Sequence, residues 1–323
     1  MMRYGLGWRA PLVAQIYANL DRIDVVEVMA EDFFEATKEQ KRALRFLREH
    51  VTVVLHATSL GLASTERVDR AKLDSVARVV GWLEPEFWSE HLAFVRGGGF
   101  EVGHLAAPPR NDATLAGLVR NVDEAQRVVG SLPLLENVAS LIEPPLCAYD
   151  ERAWLHAVLN ATPCDLLLDL HNVYANSVNF GFDARDVVAS LPRVRAIHLA
   201  GGKRIERGRV LDDHKHACPD EVFELLSLVQ SEDATVILER DGEYPVFDEL
   251  LEELDRARSV VRGLYDVQAM QTQSNVSGDA IAELARVYAT GDATTTLDVD
   301  RDDLALAIRS FERKRASMRA CLR

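Results

Sequence analysis

The chain has 323 residues, 48% of them hydrophobic, which suits one large packed α/β domain with an appendage and argues against a disordered protein. A formal net charge of −14 repels phosphate backbones and anionic lipid surfaces, so nucleic acid and membrane are poor partners. The four cysteines, Cys147, Cys164, Cys218 and Cys321, are scattered without a CxxC pair. With no secretory-type apolar stretch near Met1 and no apolar run of membrane-spanning length, they are expected to be reduced thiols in a cytoplasmic protein.

In chain order, short apolar runs alternate with amphipathic charged stretches. Strand-like residues 4–8 precede a helical 11–20, 25–29 precede 38–49, and 51–56 precede 69–83. The alternation continues with 87–92 before 111–129, 132–136 before 151–160, and 166–169 before 184–191. It closes with 194–199 before 220–230, and 234–239 before 245–262. Continuous Val, Ile and Leu runs are the mark of parallel strands buried on both faces. Eight such pairs in about 260 residues predict a TIM (β/α)₈ barrel. Gly5 and Gly7 form only a partial dinucleotide fingerprint, which sets a Rossmann fold aside. The barrel domain is expected over residues 1–263, followed by a helical C-terminal extension over 264–323. That extension ends in a basic helix, with barrel closure or an oligomer contact as its expected role ahead of a dedicated partner-binding element.

His56, His91, Glu136, Asp169, His198 and Glu239 each stand at or near the end of one of these runs. In a parallel barrel the strand C-termini converge on the face where active sites are built. Buried charges need pairing or coordination, so this recurrence predicts a metal site. In DDHKH (212–216) an extended backbone would project Asp212, His214 and His216 to one side. Asp169 and Asn172, three apart, would return to a common point. His50, His104, His156 and His171 carry less signal. Imidazole with carboxylate and amide oxygen suits Fe, Mn or Zn, and no cysteine falls among the candidates. Glu90 alternates to the other side of its strand from His91, a packing or supporting position, whereas Glu27 and Glu31 are placed to line the pocket. Asn176, Asn179 and Gly181 suggest an irregular loop over the site.

These residues lie in motifs that resemble the multinuclear non-heme iron-dependent oxidative enzymes acting on ribosomally made peptides. The motifs are GLGWR (5–9), SEHL (89–92), LEN (135–137), LDLHNVYAN (168–176), NFG (179–181), HLAG (198–201), DDHKH (212–216) and ERD (239–241). The resemblance implies a TIM barrel holding two or three iron ions, with O₂ as co-substrate. Its ligand positions match His56, His91, Glu136, Asp169, Asn172, His198, Asp212, His214 and Glu239. His216, Glu27, Glu90, Asn176 and Asp241 stand as supporting or further candidates. The implied partner is a ribosomal precursor peptide, cysteine being favoured over a C-terminal aspartate as target, with room for a separate protein that presents the peptide. The chain departs from the family at Gly202, Asp32, Arg240 and the stretch 105–110. Arg110 and Arg240 are therefore expected to offer charge to a substrate carboxylate. The residues alone also fit a redox-neutral sugar isomerase or abasic-site endonuclease, or a non-catalytic metal- or peptide-holding protein.

Overall fold

The computed structural model describes residues 2–263; the expected extension over 264–323 lies outside them. Eight parallel strands form a closed barrel: β1 (Arg3–Gly7), β2 (Val25–Met29), β3 (Thr52–Ala57), β4 (Trp88–His91), β5 (Leu134–Glu136), β6 (Leu166–Asp169), β7 (Val194–Leu199) and β8 (Thr235–Leu238). Neighbours in sequence are neighbours in the sheet, and β1 closes the ring by pairing with β8, Leu6 opposite Leu238. This is the predicted TIM barrel.

The strands carry two kinds of interior. Residues on one strand face alternate, so positions i and i+2 point the same way. Val25, Val54, Leu134, Leu167, Ala196 and Ile237 belong to one buried apolar cluster separate from the main core. Two residues further along each of these strands stand Glu27, His56, Glu136, Asp169, His198 and Glu239. The barrel interior is thus an apolar plug with a polar layer stacked on its C-terminal side. The alternate residues, such as Val26, Val53, Leu135, Leu168, Ile197 and Val236, join the larger core under the surrounding helices.

Gly5 holds the first strand close to its neighbour: a Cβ there would come 1.7 Å from the Val25 carbonyl oxygen. The helices have local reasons to start and stop. Lys38–Arg48 opens with a capping box between Thr37 and Gln40. Asp112–Val129 is capped by Asn111 and ends at Gly130, whose φ of +88° is left-handed.

Two excursions are absent from the sequence reading. An antiparallel hairpin, Phe94–Gly97 with Phe100–Ala106, follows β4, and a smaller one, Lys203–Arg204 with Val210–Leu211, follows β7. Both rise from the strand ends that carry the polar layer. The expected loop around Asn176 is instead a helix, Leu170–Phe180, with Gly181 as its left-handed C-cap. Asn176 and Asn179 reach from it to backbone groups of Val138, Ser140 and Val210. Their carboxamides tie down neighbouring loops. Among the described residues no helix is long and apolar enough to cross a membrane.

Candidate metal centre

Glu136 is the hub of the polar layer. Its Oε2 lies 3.2 Å from Nε2 of both His56 and His91, and its Oε1 lies 3.0 Å from Nδ1 of His198. The tautomer of His56 follows from its other nitrogen. Nδ1 sits 2.8 Å from Ser89 Oγ, whose hydroxyl donates to the Leu55 carbonyl at 3.3 Å. Ser89 has spent its one proton, so His56 Nδ1 donates to it and Nε2 is the atom presented to Glu136.

His198 is completely buried between three carboxylates. Nε2 faces Glu27 Oε1 at 3.0 Å, while Nδ1 lies 3.0 Å from both Glu136 Oε1 and Glu239 Oε2. One nitrogen cannot donate fully to two oxygens. Glu27 therefore orients the ring from behind, and Nδ1 shares a small space with two anionic groups.

Asp169 caps the helix Leu170–Phe180 by accepting from the Asn172 backbone N–H at 2.7 Å. That bond leaves its Oδ2 buried with no hydrogen-bond partner, as are Asn172 Oδ1 and Glu136 Oε2. His214, held at φ +52°, brings Nε2 to 2.9 Å from Asp212 and 3.7 Å from Asp169. Its Nδ1 faces Glu239 at 3.2 Å. Three groups of ligand atoms result: His56, His91 and Glu136; Glu136, Asp169, His198 and Glu239; and His171, Asp212 and His214. Glu136 belongs to two of them.

Charge is out of balance here. Glu27, Glu136, Asp169, Asp212 and Glu239 converge, while the guanidinium within reach is Arg9, whose NH2 lies 3.1 Å from Glu239 and whose Nε donates to Asp241 at 2.7 Å. His91, His198 and His214 are shifted toward the charged form in response. Burial opposes the charged form of His91, yet Glu136 and Glu90 outweigh it and push its pKa up to about 9. His198 and His214 are raised against burial by Glu239 and Asp212 respectively. Glu239 is lowered despite burial by these two imidazoles. Asp169 goes the other way, raised by burial and by repulsion from Asp212 and Glu136. A buried, acceptor-rich cluster that takes up protons in this way is equally stabilised by cations in their place.

Other sequence candidates fall outside this cluster. His216 does not join Asp212 and His214, because the left-handed turn at His214 breaks the extended alternation and leaves it half-exposed against Asp213. Glu90 accepts from the backbone N–H groups of Leu60 and His91, supporting the loop behind the site. Glu31 accepts from Thr58. Asp241 lies at the rim, 3.6 Å from His214 Nδ1. Arg110 and Arg240 pair with carboxylates outside this cluster. Arg110 is buried in bonds to Glu151 and Glu143, and Arg240 pairs with Glu253; a buried guanidinium requires such partners. Arg9 and His171 lacked a strand-end signal and were missed as site residues. Arg9 follows a strand that itself ends in Gly7, and His171 lies in the first turn of a helix.

The site opens into a cavity of about 610 Å³ whose walls include Arg9, Lys72, His104 and Leu141 beside the metal-ligating types. Fold and site together define a TIM-barrel protein with a carboxylate- and histidine-rich centre at its strand C-termini. Residues 3–262 match the model of the RiPP precursor modification enzymes MbnB/TglH/ChrH, and the chain belongs to that family. A UPF0276 protein of Rhizorhabdus wittichii is 32% identical over 266 residues, covering 80% of this chain and 94% of the relative. Another from Caulobacter vibrioides is 33% identical over 264 residues, covering 79% and 93%. Among solved structures, a D-tagatose 3-epimerase-like protein aligns with TM-score 0.54 at 13% identity, covering 84% of this chain and all of that one, 100%. The probable 3-DHS dehydratase AsbF from Bacillus anthracis aligns with TM-score 0.52 at 14% identity, covering 79% and 98%. These two likenesses concern the barrel alone.

Proposed function

We propose that this chain is a multinuclear iron- and O₂-dependent oxidase that modifies one residue of a ribosomally synthesised precursor peptide. The observation that carries the reading is the convergence of buried carboxylates and imidazoles around Glu136, with Glu136 Oε2, Asp169 Oδ2 and Asn172 Oδ1 left without hydrogen-bond partners. Nitrogen and oxygen donors without thiolate suit iron in a redox role better than a structural zinc. His56, His91, Glu136, Asp169, Asn172, His198, Asp212, His214 and Glu239 would hold the ions. Bound iron would supply the electrons that activate O₂ and the open positions for a substrate side chain.

The chain's own residues set the conditions for that chemistry. Ser89 fixes the His56 tautomer, Glu27 orients His198, and Arg9 holds Glu239 in place. The cavity of about 610 Å³ admits a side chain with its flanking peptide, and its acceptor-rich floor offers few donors. A substrate group would therefore join the site by coordination, which favours a cysteine thiolate, with a C-terminal aspartate as the second choice. With Arg110, Arg240 and Arg9 each engaged by a carboxylate of the chain, Lys72, whose contact with Glu101 is 3.8 Å, is the wall cation left to meet a substrate carboxylate. Mass spectrometry of the precursor peptide after incubation with Fe(II), O₂ and the protein tests this. The expected result is a mass change mapping to Cys or Asp, and a change on a residue unable to bind iron contradicts it.

A further inference from the structure

The longer hairpin, Phe94–Gly97 with Phe100–Ala106, turns through Gly98 and Gly99, both left-handed at φ +59° and +82°. Gly97 faces Phe100 and Arg96 faces Glu101. The register then slips, so that Phe94 faces Ala106 and residues 102–105 stand against Val95 alone. A bulge of this kind leaves backbone groups without ladder partners. Among the described residues no third strand joins this sheet, so the outer edge of Phe100–Ala106 is open. Phe100 is 78% exposed and Val102 48%. Residues 100–106 contain neither Pro nor Lys, the residues that commonly block an open edge.

The hairpin is moored through its first strand and its turn. Arg96 donates to the carbonyls of Leu60 and Arg67, each at 3.2 Å, and the Gly98 N–H donates to Glu66 Oε1 at 2.6 Å. The second strand is left to form cavity wall: Glu101, Gly103 and Leu105, alternate residues, line it, joined by His104 where the left-handed Gly103 breaks the alternation. A Cβ on Gly103 would meet open space.

A chain that pairs with the outer edge continues the pleat of the hairpin, so every second side chain of that chain stands on the face turned to the cavity. We propose that the edge of Phe100–Ala106 takes an extended segment of the precursor peptide as a third strand and aims its alternate side chains into the cavity. Main-chain hydrogen bonds supply the grip, whatever the sequence, and the cavity selects the side chain. The inference rests on the peptide-modifying reading above and adds how the peptide is held. The occupant follows from the continuity of edge and cavity: a strand laid here lies along the wall of the site that is to modify it. In a two-residue turn of this type Gly97 and Phe100 form the hydrogen-bonded pair, so Glu101 turns its N–H and carbonyl to the outer edge.

The probe is a soluble synthetic peptide in which Thr and Val alternate about one Cys, with two counterparts N-methylated on every second backbone nitrogen, one in each phase. One phase alone removes the N–H groups that would face the hairpin. Hydrogen exchange of the full-length protein is followed as each peptide is titrated in. The expected result is slowed exchange at residues 100–106 with the parent peptide, a Kd raised at least about tenfold in one methylated phase, and a near-parent Kd in the other. E101P removes an outward N–H and should weaken the parent peptide about fivefold beyond E101A, which removes the carboxylate alone. Circular dichroism checks the fold of both variants, and the methylated peptides read the same edge on the unaltered protein. Equal binding by the two phases, or no slowing at 100–106, overturns the site. Slowing that follows protein concentration in place of peptide gives the edge to a second copy of the chain and overturns it too. A precursor peptide that slows exchange at 100–106 yet is not oxidised with Fe(II) and O₂ leaves the strand site standing and defeats the oxidase reading instead.

Discussion

Glu136 turns its two carboxylate oxygens to different partners, Oε2 to His56 and His91 and Oε1 to His198. A group shared in this way would couple two metal positions through one side chain. E136Q keeps the shape and removes the charge, and is expected to lose iron from both groups and to lower turnover at least ~100-fold, since one missing ligand leaves the others unable to complete coordination. Iron analysis with activity checks it; full iron in E136Q would remove Glu136 from the centre. Residues such as Glu136 and His198 were legible in the sequence because a charged group ending an apolar strand has few structural explanations. His171 was not, since its ring occupies space left open by Gly202, which is 31 residues away and adjacent only in three dimensions. His216 was misread for the opposite reason: alternation assumes an extended backbone, and His214 is left-handed.

At the scale of elements, the strands were the most legible part because each is an apolar run closed by a polar residue. Barrel order follows from their succession. The two hairpins escaped because Val95 and Val210 are the buried residues of their short strands, too few to set an alternation; Phe100–Ala106 is exposed along most of its length. The loop that follows β3 is held from the side by Asn121, on the helix Asp112–Val129. Its amide donates to the carbonyls of Leu62, Ser64 and Glu66, and its Oδ1 accepts from the Val68 N–H. Asn121 is buried, so N121A strands these backbone groups and is expected to cost about 2–3 kcal/mol. Chemical denaturation measures it. A loss below about 0.5 kcal/mol would show that water replaces the carboxamide and that the loop does not depend on it.

Across the whole molecule, the polar layer ties stability to protonation. In the metal-free protein His91 is raised from its ordinary 6.5 to about 9, and His198 and His214 are also raised. A group whose folded pKa lies above its unfolded value stabilises fully below the unfolded pKa, and that stabilisation is lost as pH rises through the folded one. The melting temperature of metal-free protein is therefore expected to fall between pH 6.5 and about 9. At the acid end, protonation of Glu136 and Glu239, both lowered in the fold, removes a different contribution. Under the proposed function metal would take the place of the imidazole protons, so loaded protein should show a flatter profile over that alkaline window. Calorimetry of both forms decides it, and equal slopes would mean that ions do not occupy this layer. The most direct test of the central claim is the metal content of full-length protein expressed with iron and purified without oxygen. The account predicts about two to three iron ions per chain, bound by nitrogen and oxygen donors alone. Protein that carries no iron under those conditions, and holds zinc or manganese in its place, would contradict it.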